Sequence, residues 1–219
     1  DLVQKLNTVN SFDETQFSVT DINQYDRCHF KLLATKGFKL RDYAPISIDL
    51  DPRQRGSLAH ALFDYLIQNK KYLNYDKHEA GFFLDKTRKE YQLYPSMDDF
   101  WTIQKEKLLL SAEKFSQFES KRLAGKKVEH FTEKEFVLHM DKIYIKGRID
   151  RFDVYTENSV SSAVVYDYKR SKGSQISYGV NWLKEKEYQL LLYLEALSSQ
   201  FHMNDQAAYY FFYKNMNIQ

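Results

Sequence analysis

Cysteine is almost absent from this chain of 219 residues, which contains only Cys28. One thiol cannot form an internal disulfide, and one thiolate cannot by itself build a zinc or iron–sulfur site. Cysteine-rich scaffolds are therefore excluded for this sequence, and we expect an intracellular, cytoplasmic protein.

Glycine and proline are also scarce, with 7 and 3 residues, whereas tyrosine and phenylalanine number 17 and 16. This balance argues against a disordered chain or a flexible linker. No apolar run approaches the ~18 residues of a membrane-spanning helix, and no signal-peptide pattern opens the chain. We expect one globular domain over residues 1–219 and, since the chain begins with Asp1, a piece of a longer protein.

The chain also lacks an excess of charge of one sign, because it contains 32 basic and 30 acidic residues. The net charge of +2 gives no strong preference for a polyanionic partner, so any nucleic-acid surface must be a local patch. Neither of the familiar glycine-rich phosphate loops occurs, and we expect no nucleotide binding and no ATPase activity from this chain.

The first half of the chain has helical patterns. Thr20 is a plausible cap for a first helix that stops at Gly37, and a loop with two prolines leads into a second helix, "RGSLAHALFDYLIQN". Two further helical stretches occupy about residues 77–124 and predict a helical insert.

The second half of the chain has mainly β-strand patterns. Three strand patterns, "EHFTEKEFVLHM", "KIYIKGRIDRFDVY" and "AVVYDYKRS", follow one another with short polar turns and predict a meander. A helix over about residues 180–200 and a last strand, "AAYYFFYKN", complete the order. We predict an α/β or α+β fold with a small central mixed sheet flanked by helices.

Two acids lie where adjacent strands would meet, Asp150 in "GRIDRF" and Asp167 in "VVYDYKRSK". Buried carboxylates side by side repel each other unless a positive charge lies between them, which favours a divalent cation. Oxygen ligands suit Mg²⁺ or Mn²⁺, and the backbone carbonyl of Tyr168 can add a further oxygen. Lys169 shares the strand face of Asp167 and can stabilise charge at a scissile phosphate, although an ordinary acid–lysine pair explains the same pattern.

Five further residues have both a functional and a structural explanation. His60 lies on a polar helix stripe, where a histidine is either a metal ligand or simply hydrogen-bonded. Gln189 and Tyr193 are four apart and share one helix face, as in any amphipathic helix. Glu133 and Glu135 alternate on a strand and can approach the acids, or they can be exposed charges.

Taken in order, these segments resemble the PD-(D/E)XK nuclease superfamily, and within it the RecB/AddB-like nuclease domains. The resemblance rests on "FSVTDINQYDRCHF", "RGSLAHALF", "IKGRIDRFDVY", "VVYDYKRSK" and "YQLLLYLEAL" and extends from about Phe17 to Tyr213. It implies a restriction-endonuclease-like core and a deoxyribonuclease that uses Mg²⁺ or Mn²⁺. It further implies the exonuclease module of a helicase–nuclease repair or recombination protein, with DNA and a separate helicase motor as partners.

The resemblance also implies roles for individual residues. His60 would contact a metal, Asp150 would be the acid of the G-x-[IV]-D motif, and Asp167 and Lys169 would be the second acid and the catalytic lysine. Gln189 and Tyr193 would form the Q-x-x-x-Y motif beside the site. The cysteine cluster of many AddB-like relatives has no counterpart, so we expect no iron–sulfur cluster. The alternative is a catalytically silent module that binds DNA or a partner subunit.

Overall fold

The fold is a mixed sheet between two layers of helices. The computed structural model describes residues 16–40, 49–93, 98–140, 143–157, 160–171, 188–203 and 205–218. The strands are β1 (Gln16–Ser18), β2 (Val128–Met140), β3 (Ile143–Glu157), β4 (Val160–Lys169), β5 (Gln206–Phe212) and β6 (Asn217–Ile218). The helices are α1 (Val19–Arg27), α2 (His29–Leu32), α3 (Pro52–Gln68), α4 (Lys77–Glu90), α5 (Asp98–Leu123) and α6 (Gln189–Phe201). The predicted fold class is confirmed.

Strands β2, β3 and β4 form the predicted antiparallel meander, which begins with the pair Val128↔Tyr155 and continues from β3 to β4 through Glu157↔Val160. Two parallel pairings make the sheet mixed: β1 lies beside β3, and β5 lies beside β4. The sequence prediction ended the chain with β5, but the two-residue strand β6 pairs with β5 in the antiparallel direction.

The first helix differs from its prediction at both ends. Ser18, rather than Thr20, is the N-cap, because its hydroxyl accepts a hydrogen bond from the Asp21 amide at 3.1 Å and the Asp21 carboxylate accepts one from the Ser18 amide at 2.7 Å. The continuous helix ends at Arg27, since Cys28 has extended backbone angles. A short helix α2 and a π-helical turn then lead to Gly37.

Helix α3 begins earlier than predicted. The sequence placed Pro52 in a loop, but this proline occupies the first turn of the helix, where its missing N–H is not needed. Asp51 caps the helix by accepting a hydrogen bond from the Gln54 amide at 2.8 Å. Helices α4 and α5 fall within the interval predicted for the insert, whereas residues 180–187, with which the last predicted helix begins, lie outside the described residues.

Each face of the sheet has its own apolar core. Helices α3, α4 and α5 cover one face, where Phe63 and Phe115 pack against Tyr168 and Phe211. Helices α1 and α6 cover the other face through a second cluster of buried residues: Val19, Phe136, Ile149, Phe152, Val165, Leu190, Leu197 and Tyr210. In the described ranges, no helix combines the length and apolarity needed to cross a membrane.

Candidate active site

Asp150 and Asp167 lie at the same end of the central strands. The described pairing of β3 with β4 ends at Arg151↔Tyr166, and the next residue of each strand in this register is one of the two acids. Asp150 Oδ2 accepts a hydrogen bond from the Tyr168 amide at 2.9 Å, which ties the two strand ends together. The two acids that the sequence singled out are therefore neighbours.

Alternation along β4 separates the catalytic candidates from the core. Tyr168 is 2% exposed and packs against the helices of the α3 side, whereas Asp167 and Lys169 project to the other face. The Lys169 ammonium lies 2.6 Å from Asp167 Oδ2. As predicted, Asp167 and Lys169 share one face of the strand and Tyr168 points to the other.

Gln189 connects the acid, the lysine and the tyrosine. Its amide nitrogen donates to Asp167 Oδ1 and to the Tyr193 hydroxyl, each at 2.7 Å. Its amide oxygen accepts a hydrogen bond from Lys169 at 3.3 Å. Both donors of the amide are used, so the orientation of this side chain at the start of α6 is fixed from three sides.

His60 brings helix α3 to the same sheet end. Its Nε2 atom lies 3.0 Å from the Tyr168 carbonyl oxygen, and its Nδ1 atom lies 3.4 Å from Asp150 Oδ1. A carbonyl oxygen only accepts, so Nε2 carries a proton in this contact. The structure thus places His60 and the Tyr168 carbonyl beside Asp150.

Glu133 joins this group, although the sequence pattern makes it only a weaker candidate beside Glu135. One ligand atom from each of His60, Glu133 and Asp150 lies within 4.8 Å of the others. Glu135 instead pairs with Lys146 at 3.6 Å on the exposed face.

A change of side-chain phase in β2 and β3 explains the position of Glu133. In β2, Phe131 and Phe136 both face the α6 side, although they are five residues apart. In β3, Ile149 and Phe152 both face that side, although they are three residues apart. Each of these spacings is an odd number of residues, which regular alternation does not allow. The register places Glu133 opposite Asp150 at this irregularity, and Glu133 has a positive φ of 52°. The slip is invisible in the sequence pattern.

Burial and mutual repulsion shape the charges of the three acids. Burial raises the pKa of Asp167 to about 6; Lys169 acts against this effect, and the charge of Asp150 adds to it. Burial, followed by repulsion from Asp150, also raises the pKa of Glu133 against the opposing effect of Arg148. Burial opposes ionisation of Asp150 too, but the hydrogen bond and charge of His60 outweigh it and lower its pKa.

These donors fit a divalent cation. Carboxylate oxygens, a backbone carbonyl and one imidazole form a set that Mn²⁺ and Mg²⁺ accept. Asp167 Oδ2 is buried and lacks a well-directed hydrogen bond, even though its charge is paired with that of Lys169. A cation near the acids would relieve the repulsion that raises the pKa values of Glu133 and Asp167.

A cleft of about 720 Å³ opens at this group and gives it access to solvent. His60 and Glu133 lie in its wall together with two arginines and an aromatic residue: Arg53, Arg148 and Tyr91. Because Tyr91 directly follows α4, the predicted insert region contributes to the mouth of the site.

A buried charge network on the opposite face supports this sheet end, and sequence reasoning missed it. Arg151 is fully buried and donates to Asp153 at 2.6 Å and to Glu119 of α5 at 2.9 Å. Its guanidinium also lies 3.4 Å from the Tyr168 hydroxyl. The residue after Asp150 therefore attaches α5 to the strands that carry the site.

A model of the PD-(D/E)XK nuclease superfamily matches residues 16–219, which is nearly the whole chain. A search of the curated proteins finds no match. The family match covers every residue of the site described above, from His60 to Tyr193. The chain belongs to the PD-(D/E)XK nuclease superfamily.

Proposed function

We propose that the chain is a metal-dependent deoxyribonuclease that hydrolyses phosphodiester bonds. Membership of the superfamily suggests a nuclease. The observation that carries the proposal is the pairing of Asp167 with Lys169, since Gln189 holds this pair beside the donor group of His60, Glu133 and Asp150. A site that had lost catalysis would not need to retain a partly exposed lysine next to a buried acid.

His60, Glu133 and Asp150 would hold the cation, with the Tyr168 carbonyl and Asp167 as adjacent oxygen donors. Mg²⁺ or Mn²⁺ bound there would polarise the phosphate and promote ionisation of the attacking water. The carboxylate charge of Asp150 and Glu133 makes this corner attractive to a cation and repulsive to a bare phosphate. Substrate would therefore approach a site whose negative charge is already balanced.

Lys169 stabilises the negative charge that develops on the phosphoryl oxygens as water attacks phosphorus and the sugar oxygen departs. Its ammonium is held by Asp167 and Gln189, and its side chain is 32% exposed, so it can reach a substrate. A cation held in place before the reaction stabilises the developing charge without having to reorganise during it. Gln189 and Tyr193 position the lysine and the acid without touching the phosphate.

The finer assignment follows from the resemblance of the sequence segments. We propose a single RecB/AddB-like domain whose insert is α4 and α5, acting as the exonuclease module of a helicase–nuclease protein in DNA repair or recombination. Its helicase motor lies outside this chain, and the protein works in the bacterial cytoplasm. A requirement for free DNA ends tests the exonuclease assignment.

The test is cleavage of end-labelled linear and circular DNA, single- and double-stranded, with Mg²⁺, Mn²⁺ or EDTA, by wild type and by Lys169→Ala. We expect metal-dependent cutting of linear DNA that falls by about 10²–10³-fold in the variant. Circular DNA should resist cleavage. Equal cleavage by both proteins would remove Lys169 from the mechanism, and no cleavage by folded wild-type protein with either metal would favour the binding module.

A further inference from the structure

A second depression, of about 290 Å³, lies on the α3 and α5 side of the sheet. We call it the basic groove and define it by its five cationic residues: Arg55, Lys107, Lys114, Arg170 and Lys214. Among the described residues that line it, the others are polar or apolar, and none is acidic. This distinguishes it from the cleft at the metal donors, which Asp64, Glu90 and Glu133 line.

The basic groove begins one residue beyond the catalytic lysine. Arg170 directly follows Lys169, and its carbonyl oxygen accepts a hydrogen bond from the Lys214 amide at 2.9 Å. The Tyr213 amide in turn donates to the Lys169 carbonyl at 3.0 Å. These two bonds fix the groove to the strand end that carries Asp167 and Lys169.

Helices complete the groove on the same side. Arg55 precedes His60 by five residues in α3, which is about 7.5 Å along a helix axis. Lys107 and Lys114 are two turns apart on α5, or about 10.5 Å, so they would contact different phosphates of one strand. The groove thus runs along α5 beside the end of β4 that carries the site.

The charge of the groove is unbalanced. Within the described part of the chain, no ion pair involves Lys107, Lys114, Arg170 or Lys214, and these four side chains are exposed. Arg55 shares its charge with Asp49 at 3.5 Å. On a protein whose net charge is +2, a concentration of unpaired cations at one depression favours an extended anion.

We propose that the basic groove binds the phosphodiester backbone of a nucleic-acid strand and guides it to the end of β4, where Lys169 projects from the other face of the sheet. The proposal rests on the proposed function only for the identity of the polyanion. Tyr213 is buried against Phe63 and offers no face on which a base can stack. Recognition therefore uses phosphate charge, and binding is independent of base sequence.

The experiment measures the fluorescence anisotropy of a labelled oligothymidylate in EDTA over a series of NaCl concentrations. The groove variant is Lys107→Ala/Lys114→Ala/Lys214→Ala. The control variant, Lys121→Ala/Lys127→Ala/Lys134→Ala, removes the same charge from exposed positions outside the groove. Because all six lysines are exposed, both proteins should keep the wild-type fold, which circular dichroism verifies.

We expect the groove variant to bind at least about tenfold more weakly, with a salt slope smaller by about 2, since about 0.7 counterions are released per phosphate of a single strand. The control should lie within about twofold of wild type. Equal losses in the two variants, or an unchanged salt slope, would overturn the proposal.

This readout is separate from catalysis. Oligonucleotide binding that depends on the groove, in a protein that never cleaves DNA, would support the groove and contradict the proposed function. Cleavage of DNA by a groove variant whose KM is unaltered would support the proposed function and contradict the groove. If both hold, the groove variant raises KM for single-stranded DNA and leaves kcat near the wild-type value.

Discussion

The imidazole of His60 lies between the backbone of one strand and the carboxylate of another, with Nε2 3.0 Å from the Tyr168 carbonyl and Nδ1 3.4 Å from Asp150. Helix α3 is thereby attached to the ends of both β3 and β4. Burial disfavours the imidazolium, but the hydrogen bond and charge of Asp150 outweigh it and raise the pKa of His60. One side chain thus joins the helix layer to the acidic corner of the sheet.

Glu133 provides the first prediction. Glu133→Gln should weaken Mn²⁺ binding by at least about tenfold, because a neutral amide is a poorer ligand and no longer balances the charge of the ion. Isothermal titration calorimetry measures this affinity. Glu135→Gln is the matched control on the same strand, since Glu135 faces away toward Lys146. Equal affinities in the two variants would remove Glu133 from the donor group.

Gln189 is predicted to act by positioning. In Gln189→Ala, Lys169 and Asp167 lose the amide that contacts both of them, and kcat should fall by about 100-fold. Mn²⁺ affinity should stay near the wild-type value, because Gln189 contacts none of the three residues of the donor group in the described structure. A variant that loses metal affinity as strongly as turnover would contradict the positioning role.

Local patterns were sufficient to predict one part of the site. Asp167 and Lys169 share a strand face because side chains alternate, and Gln189 and Tyr193 share a helix face because they are four residues apart. The structure has both arrangements. The predicted meander and the two helices of the insert region follow from the same periodicities.

Long-range geometry accounts for what the sequence did not show. The role of Glu133 depends on a phase slip in two strands at once, which no single segment encodes. The parallel pairings of β1 and β5 depend on contacts across the whole chain. In the sequence, Arg151 looks like an ordinary strand residue. Its complete burial depends on Glu119 of α5, which lies beside it and is distant in the sequence.

Gly147 has a packing role in the G-x-[IV]-D segment. A Cβ atom at this position would overlap the ring of Phe136 on the neighbouring strand. Gly147→Ala should therefore lower the free energy of unfolding by about 1–3 kcal/mol, as measured by urea denaturation. Gly56→Ala is the control: its Cβ meets open space within helix α3, so this variant should gain about 0.5–1 kcal/mol. A neutral Gly147→Ala would refute the packing explanation.

Arg151 should be critical for stability. Arg151→Met removes one cation from Glu119 and Asp153 and leaves Arg122, 2.7 and 2.8 Å from them, as their remaining arginine partner. Removal of one partner from a buried pair costs about 3–5 kcal/mol, and we expect the lower end of this range because Arg122 stays in place. Burial disfavours ionisation of Asp153, yet Arg151 and His130 outweigh it and hold its pKa well below the usual range. Chemical denaturation should show the loss in Arg151→Met, whereas Arg148→Met, at an exposed position, should stay within about 0.5 kcal/mol of wild type. Similar stabilities would contradict the role of the network.

In the proposed mechanism, Asp150 and its neighbours at this end of the sheet bind the metal, and Lys169 acts on the substrate without binding the metal. Titration with Mn²⁺ followed by calorimetry separates these two roles. Wild type, Asp150→Asn and Lys169→Ala are compared at one pH. Asp150→Asn should bind Mn²⁺ at least about tenfold more weakly, because the neutral amide is a poorer ligand, while Lys169→Ala should bind Mn²⁺ as tightly as wild type or more tightly. Wild-type affinity in Asp150→Asn would show that Asp150 does not hold the metal.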